Sequence, residues 1–389
     1  MLDAIVLGLG ATGSATLYQL AKRGAAVLGV DRHSPPHALG SSHGDTRLTR
    51  LAIGEGEGYT PLALRSHAIW REIERETGAA LLSVTGGLII SSAAQRSRSH
   101  VAGFFANTLA AAQKHGIEHE RLDAAGIRAR FPQFAVRDDE QGYFEPGAGF
   151  LRPEACIAAQ LGLAEKHGAA IRRNEAVRDY HEEGGGVRVE TDRGEYRARR
   201  LVIAAGPWLP GLLEPELARL FTVSRQVLHW FGVRGPAGRF EPGRFPVFIW
   251  ELQGRSQPVY GFPAIDGPDG GVKLATEQHT RATTPDDVDR EVPPEESRAM
   301  FEEYVAPFFP DLSPQRVKAV SCLYTATPDF HFVVDRHPRS GAAIVASPCS
   351  GHGFKHSAAI GEAIAELVLE GASRIDLGGF RLDRFARRV

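Results

Sequence analysis

Three glycines spaced as Gly8-Leu9-Gly10-Ala11-Thr12-Gly13 follow an apolar run, Ala4-Ile5-Val6-Leu7, and open an amphipathic stretch reaching about Arg23. A second apolar run, Ala25 to Val30, ends on Asp31. The pattern predicts a strand, a glycine turn, a helix and a second strand with an acid at its tip. Gly8 allows the tight turn, Gly10 lets a pyrophosphate approach the backbone, and Gly13 brings helix and strand close. The helix N-terminus then faces the anion with its amides and its dipole. Asp31, about 20 residues on, is placed to bind a ribose 2′-hydroxyl and would repel the 2′-phosphate of NADP. The motif alone does not separate NAD from FAD.

Other segments carry candidate chemistry. The loop from Gly40 to Arg50 packs Ser41, Ser42, His43, Arg47 and Arg50 into a short stretch. It reads either as a cradle for phosphate or flavin with arginines for a carboxylate, or as a solvated loop with two salt-bridged arginines. Ser350-Gly351-His352-Gly353-Phe354-Lys355 sits between an apolar run and a helix start. Its exposed amides, the helix dipole and Lys355 make an anion site, suited to the N1–C2=O edge of a flavin. His352 and His356 are one helical turn apart, but no third ligand is near and no metal is expected. Lys273, in Val272-Lys273-Leu274-Ala275, is either a lysine on the exposed face of an edge strand or a desolvated cation beside a flavin. Cys322, read alone, is a small buried hydrophobe.

These groups need a scaffold. A helix is expected over Pro61 to Thr77, a strand over Gly86 to Ile90, and helical periodicity runs through Ala102 to His115. Short strands are expected at Ala176 to Tyr180, Val187 to Thr191 and Glu195 to Ala198, with a separate buried strand from Leu201 to Ala205 ending at Gly206-Pro207-Trp208. A meander that returns to the nucleotide sheet and ends in Ala-Ala-Gly favours FAD over NAD, and Val177 and Gly206 are assigned to that cofactor. Residues 222 to 318 read as β-rich, with strands near Val247 to Leu252, Val259 to Phe262 and Val272 to Thr276. A buried strand from Ala342 to Ala346 and a helix from Lys355 to Gly371 return to the first domain. The expected fold is α/β: a Rossmann-like FAD-binding domain (1–83, 146–221, 319–389) with an inserted mixed α+β substrate domain (84–145, 222–318) containing an antiparallel sheet.

Bulk properties exclude several classes. At 389 residues, 43% hydrophobic and 24% charged, the composition is that of a globular protein with substantial cores. A formal charge of −2 and a pI near 6.7 give no support for nucleic-acid or anionic-membrane binding. No apolar run approaches the roughly 20 residues of a membrane-spanning helix. The chain enters its first strand without a basic leader, so a cytoplasmic protein is expected. Cys156, Cys322 and Cys349 are too few and too scattered for a disulfide framework.

Taken together, Pro35-Pro36-His37, Gly44-Asp45-Thr46-Arg47, Gly54-Glu55-Gly56, Tyr260-Gly261-Phe262-Pro263, Cys322-Leu323-Tyr324-Thr325, the run from Asp329 to Asp335 and Ser350 to Lys355 resemble one family nearly end to end. It is the monomeric sarcosine oxidase and N-methyltryptophan oxidase family, within the glycine/D-amino-acid oxidase group of flavoproteins. The resemblance implies FAD bonded covalently through Cys322, Lys273 as the group that activates oxygen, and Arg50 with Lys355 as the grip on a substrate carboxylate. Tyr260 and Tyr324 match tyrosines of the same pocket, and His43 and Arg47 match residues near the isoalloxazine ring. One departure stands out. The family histidine four residues after the lysine is Glu277 here, with His279 two further on. If the strand continues, both face one side. A carboxylate there suits a cationic substrate group or a different amine; alternatively His279 fills the place after a local shift.

The implied reaction takes an amino acid with a carboxylate and a secondary amine, molecular oxygen and water to an imine-derived aldehyde, an amine and hydrogen peroxide. The amine must react with its lone pair free, and nearby cations lower the pKa of its ammonium form. A monomer is implied. Two alternatives stand beside this reading: a flavin dehydrogenase using another electron acceptor, and a nucleotide-binding regulatory protein without turnover.

Overall fold

The computed structural model describes residues 1–92, 101–279 and 281–386. Its first sheet is built outward from Leu2–Leu7, the run that precedes the glycine turn. This strand pairs in parallel with Val27–Asp31 on one side and Glu195–Ile203 on the other, and Ala170–Arg173 extends the sheet beyond Val27–Asp31. Glu195–Ile203 is a single strand where two were expected. Its first residues pair antiparallel with Gly186–Thr191, which pairs in turn with Val177–Glu183. Its last residues pair in parallel with Ser340–Ser347. The hydrophobic pattern changes midway because exposed alternation in the meander gives way to burial on both faces, so one strand reads as two.

Helices Ala11–Lys22, Tyr59–Thr77, Pro153–Lys166 and Ser357–Leu369 share one apolar core with this sheet, around Val6, Leu17, Trp70, Ile157 and Ile360. Close approach is enforced by small residues. A β-carbon on Gly361 would lie 2.4 Å from the Ala15 β-carbon. The last helix begins as a 3₁₀ turn, Phe354–His356, and is α-helical only from Ser357 to Leu369, shorter than the Lys355 to Gly371 expected. Gly371, at φ +83°, lies just past its end.

The second sheet has eight strands. It runs from Leu312–Ala326 through Thr222–Val233, Val272–Thr276, Val259–Phe262, Val247–Trp250, Gly87–Ser92 and Glu140–Glu145 to Glu120–Asp123. All neighbours are antiparallel except Val247–Trp250 against Gly87–Ser92. An aromatic cluster including Phe134, Phe245, Phe248, Trp250 and Phe309 fills one of its cores.

Two placements bear on the site. Val272–Thr276 is an interior strand with every residue buried, which removes the reading of Lys273 as an exposed lysine on a sheet edge. Leu312–Ala326 crosses position 318 unbroken, so the expected boundary there falls within a strand, and Cys322 and Tyr324 belong to the second sheet. A three-stranded sheet, Gly149–Leu151 between Arg47–Thr49 and Leu82–Val84, anchors the arginine-bearing loop. Among the described residues no helix is long and apolar enough to cross a membrane.

Candidate active site

A cavity of about 540 Å³ lies between the two large sheets, and nearly every residue singled out in the sequence lines it. At one end stand Gly8, Gly10, Asp31, Val177 and Gly206. Gly8 has φ +80°, and a β-carbon there would sit 2.7 Å from the Ala204 carbonyl oxygen. A β-carbon on Gly10 would approach only Ser42 Oγ, at 3.7 Å, so this backbone is open to a ligand. Gly13 does not line the cavity. A β-carbon on it would fall 1.7 Å from the Gly8 carbonyl oxygen, which makes it the contact that closes helix onto turn. Asp31 accepts from the Leu9 amide at 2.7 Å and the His33 amide at 2.8 Å, so the carboxylate also holds the turn in place. The N-cap residue of the helix Ala11–Lys22, Gly10, has no side chain to cap it, and the first amide donates weakly to Ser42 Oγ at 3.4 Å. Among the described residues the buried hydroxyl of Ser41 has no hydrogen-bond partner.

The middle of the cavity is organised by a tight turn at Gly44 and Asp45, with φ +95° and +69°. Glu154 accepts from both of their amides, at 2.7 and 3.2 Å. Lys273 Nζ donates to the carbonyl oxygens of Gly44 (2.7 Å) and Thr46 (2.8 Å), and lies 4.6 Å from the Phe262 ring centre and 5.3 Å from that of Trp230. Burial, reinforced by Arg47 and opposed by Asp45, drives the Lys273 amine well below the usual lysine range. Arg47 donates to the Ser41 carbonyl at 2.8 Å and to Cys322 Sγ at 3.4 Å. Burial alone would push the Cys322 thiol up; His43 and Arg47 outweigh it and hold the thiol down at about 6. A thiol so placed is the nucleophilic thiolate at neutral pH. His43 acts from behind the cysteine and does not line the cavity.

At the far end a buried carboxylate bridges two cations. Arg50 donates to the Ala52 carbonyl and, at 2.6 Å, to Glu55; its guanidinium lies 4.9 Å from the Phe104 ring centre. Lys355 Nζ reaches the other Glu55 oxygen at 3.4 Å and the His352 carbonyl at 2.8 Å. Burial, with Arg50 adding to it, lowers Lys355 to about 8 although Glu55 opposes the shift. Sequence reasoning gave Glu55 no role. Its signal was an acid between two glycines, five residues after Arg50.

Tyr260 and Tyr324 bring their hydroxyls within 3.4 Å. Burial pushes Tyr260 up to about 12 and Tyr324 well above its ordinary value. The loop expected to form an anion site packs against this pair. Gly351 has φ +85° and leaves only 3.0 Å to the Tyr324 ring for a β-carbon, while one on Gly353 would fall 1.7 Å from the Pro348 carbonyl oxygen. His352 and Phe354 line the cavity beside them. Glu277 lines it too, but His279 does not share its side. The strand stops at Thr276, where Gln226 accepts from the Gln278 amide at 2.8 Å and donates to its carbonyl. The chain turns there, and the His279 ring rests 4.9 Å from Phe330 and 5.8 Å from Tyr324.

The family described as FAD dependent oxidoreductase matches residues 3–367. The chain belongs to this family. The monomeric sarcosine oxidase of Streptomyces avermitilis is 41% identical over 99% of this chain and 98% of its own. An N-methyl-L-tryptophan oxidase of Escherichia coli is 35% identical over 98% of this chain and 99% of its own. The resemblance seen in the motifs therefore extends over nearly the whole sequence. In fold the chain is similar to NikD, an unusual amino acid oxidase essential for nikkomycin biosynthesis, with a TM-score of 0.81 at 24% identity, covering 98% of this chain and 97% of that one. It is also similar to glycine oxidase from Geobacillus kaustophilus, with a TM-score of 0.76 at 21% identity over 98% of each chain. As a family member the chain is an FAD-dependent oxidoreductase, and the cavity fits that cofactor. Gly8 and Gly10 face one end without β-carbons, the buried Ser41 hydroxyl has no partner among the described residues, and cationic groups line the deeper part.

Proposed function

We propose that this chain oxidises a small amino acid carrying a carboxylate and a secondary amine, with oxygen as acceptor. The observation that carries the reading is the buried group of Arg50, Glu55 and Lys355 at the end of the cavity away from the glycine turn. A single carboxylate touches both cations, so the pair retains positive charge for a substrate carboxylate. The names of the relatives, sarcosine oxidase and N-methyl-L-tryptophan oxidase, point to N-methylated amino acids.

FAD, when bound, supplies the two-electron acceptor for the amine and the route of those electrons to oxygen. Gly8, Gly10 and the helix N-terminus would hold its pyrophosphate and Asp31 its ribose; Cys322 is the group to attach the flavin covalently, kept as thiolate by His43 and Arg47. Arg50 and Lys355 orient the substrate by its carboxylate, fixing which C–H bond of the amine faces the cofactor. Tyr260 and Tyr324 wall the same space and help exclude water. Lys273, clamped by two carbonyls, places a desolvated amine where oxygen is reduced. The imine product hydrolyses to an aldehyde and an amine, and oxygen leaves as hydrogen peroxide. The chain is proposed to act as a monomer, the state named for its sarcosine oxidase relatives.

An anaerobic absorbance screen tests this reading. Sarcosine, N-methylated amino acids and cyclic imino acids are added to the flavin-loaded protein, and at least one is expected to bleach it. Bleaching followed by no peroxide under air would instead indicate a dehydrogenase. No bleaching by any of them refutes the substrate class.

A further inference from the structure

We propose that Glu145 is the positioning residue for Arg50: a carboxylate of the second sheet fixes the peptide from which the arginine reaches the substrate. This rests on the reading of Arg50 as part of the carboxylate grip.

Tyr143 and Glu145 stand two apart at the end of the strand Glu140–Glu145, just before Pro146-Gly147, so their side chains share a face. Both are buried. A carboxylate buried that deeply is costly unless donors surround it. Glu145 has three. One of its oxygens accepts from the Leu51 amide at 2.6 Å; the other accepts from the Ala52 amide at 3.1 Å and from the Tyr143 hydroxyl at 2.9 Å. Bonds to an ionised acceptor are the strong ones, so this grip on the backbone is firm.

What it grips is the arginine's own segment. Arg47–Thr49 pairs with Gly149–Leu151, and the ladder ends at Thr49 and Gly149. Arg50 follows at once, and beyond it Glu145 takes over as acceptor for the next two amides. Ala52 is then held at both of its backbone polar groups, its amide by Glu145 and its carbonyl by the Arg50 guanidinium. That carbonyl, Glu55 and the Phe104 ring set the direction of the guanidinium. A turn of the Leu51–Ala52 peptide would carry the carbonyl away, and with it one of the contacts that aim Arg50. Arg50, Tyr143 and Glu145 share the wall of one small cavity. Burial and Glu145 push the Tyr143 hydroxyl up while Arg50 opposes them, so the three groups lie within electrostatic reach of one another. Glu145 is not among the described residues that line the large cavity; it acts through Arg50.

The test is a double-mutant cycle read by anaerobic stopped-flow bleaching of the flavin-loaded protein, with sarcosine or whichever member of the panel above bleaches it fastest. Glu145→Gln keeps the size of the side chain and puts a donor where an acceptor stood. In the native background it is expected to lower the second-order bleaching constant about tenfold, carried by the substrate dissociation constant more than by the limiting rate. In Arg50→Met the same substitution is expected to change that constant by less than about twofold, because the side chain it positions is gone. A loss that persists undiminished in Arg50→Met overturns the assignment, since a merely structural role would lower both backgrounds alike. So does an unchanged constant in Glu145→Gln while Arg50→Met lowers it. If Glu145→Gln fails to load flavin, Tyr143→Phe removes one of the three bonds to the carboxylate and runs the same cycle. About a threefold loss is then expected in the native background and none in Arg50→Met, and equal losses in both overturn the assignment. An Arg50→Met protein that bleaches as readily as the native one is a different result, because it removes the carboxylate grip and this inference together.

Discussion

The two ends of the cavity are built on opposite principles. The end at the glycine turn is made of backbone, and one carboxylate, Asp31, secures the Leu9 amide within it. Its glycine turn, helix and first two strands adjoin in sequence, and its demands are steric, since β-carbons on Gly8 or Gly13 would collide with carbonyl oxygens. The middle and far end hold charge gathered from distant segments, with Arg50, Glu55, Lys273, Cys322 and Lys355 buried and Glu277 partly buried. Each of these ions costs desolvation energy and is held only because a partner or a carbonyl compensates. Among them Lys273, Cys322 and Lys355 are shifted away from their ordinary ranges, as groups placed to do chemistry are.

The sharpest way to break this contrast is at the cysteine. Flavin is expected to stay with the precipitated protein after acid treatment, and Cys322→Ala should release it completely into the supernatant; yellow supernatant from the native protein contradicts the covalent link. With the thiol held at about 6, the rate of attachment to the apoprotein should climb as pH rises through 6 and then level off, because the thiolate is the reactive form. Next in size is Lys273→Met. Stopped-flow measurement should show reaction of the reduced enzyme with oxygen slowed by roughly a hundredfold or more, on the scale of losing one preorganised electrostatic group, with anaerobic bleaching little altered. Equal loss in both steps would place Lys273 elsewhere in the reaction.

Arg50→Met removes one of the two cations seen on Glu55, and with it half the proposed grip. A loss of about 2–5 kcal/mol in kcat/KM is expected, carried mainly by KM. A variant with unchanged KM would show that the carboxylate binds elsewhere. The smallest effect concerns pH. Lys355 is a cation below about 8 and neutral above it, so affinity for a carboxylate ligand should fall as pH rises through 8. The limiting slope is tenfold per pH unit, and Lys355→Met should abolish this step while lowering affinity at pH 7. A profile that is flat from pH 7 to 9 in the native protein argues against Lys355 as a ligand to the carboxylate.

The backbone-built end was the more legible in sequence because its parts are local. Glycine spacing, apolar runs and the acid at Asp31 lie within one strand–helix–strand unit, and the structure has that unit. The strands Val259–Phe262 and Val272–Thr276 also lie where their apolar runs place them. What escaped was set by distant contacts. Lys273 could not be told from an exposed lysine, since its burial depends on the Gly44–Thr46 turn, far away in the chain, offering its carbonyls. Glu55 went without a role because its second partner, Lys355, lies 300 residues on. The common side expected for Glu277 and His279 assumed a longer strand, and Gln226, from a neighbouring strand, ends it. The continuity of Glu195–Ile203 was hidden by its change of neighbours halfway along.

The central claim is that the charged end of the cavity oxidises a secondary-amine amino acid at the expense of oxygen. It is tested most directly by measuring peroxide and aldehyde together under air, with the substrate that bleaches the flavin most rapidly. One equivalent of peroxide for each equivalent of aldehyde is the predicted result. Aldehyde formed only when an artificial electron acceptor replaces oxygen, with no peroxide, would contradict it.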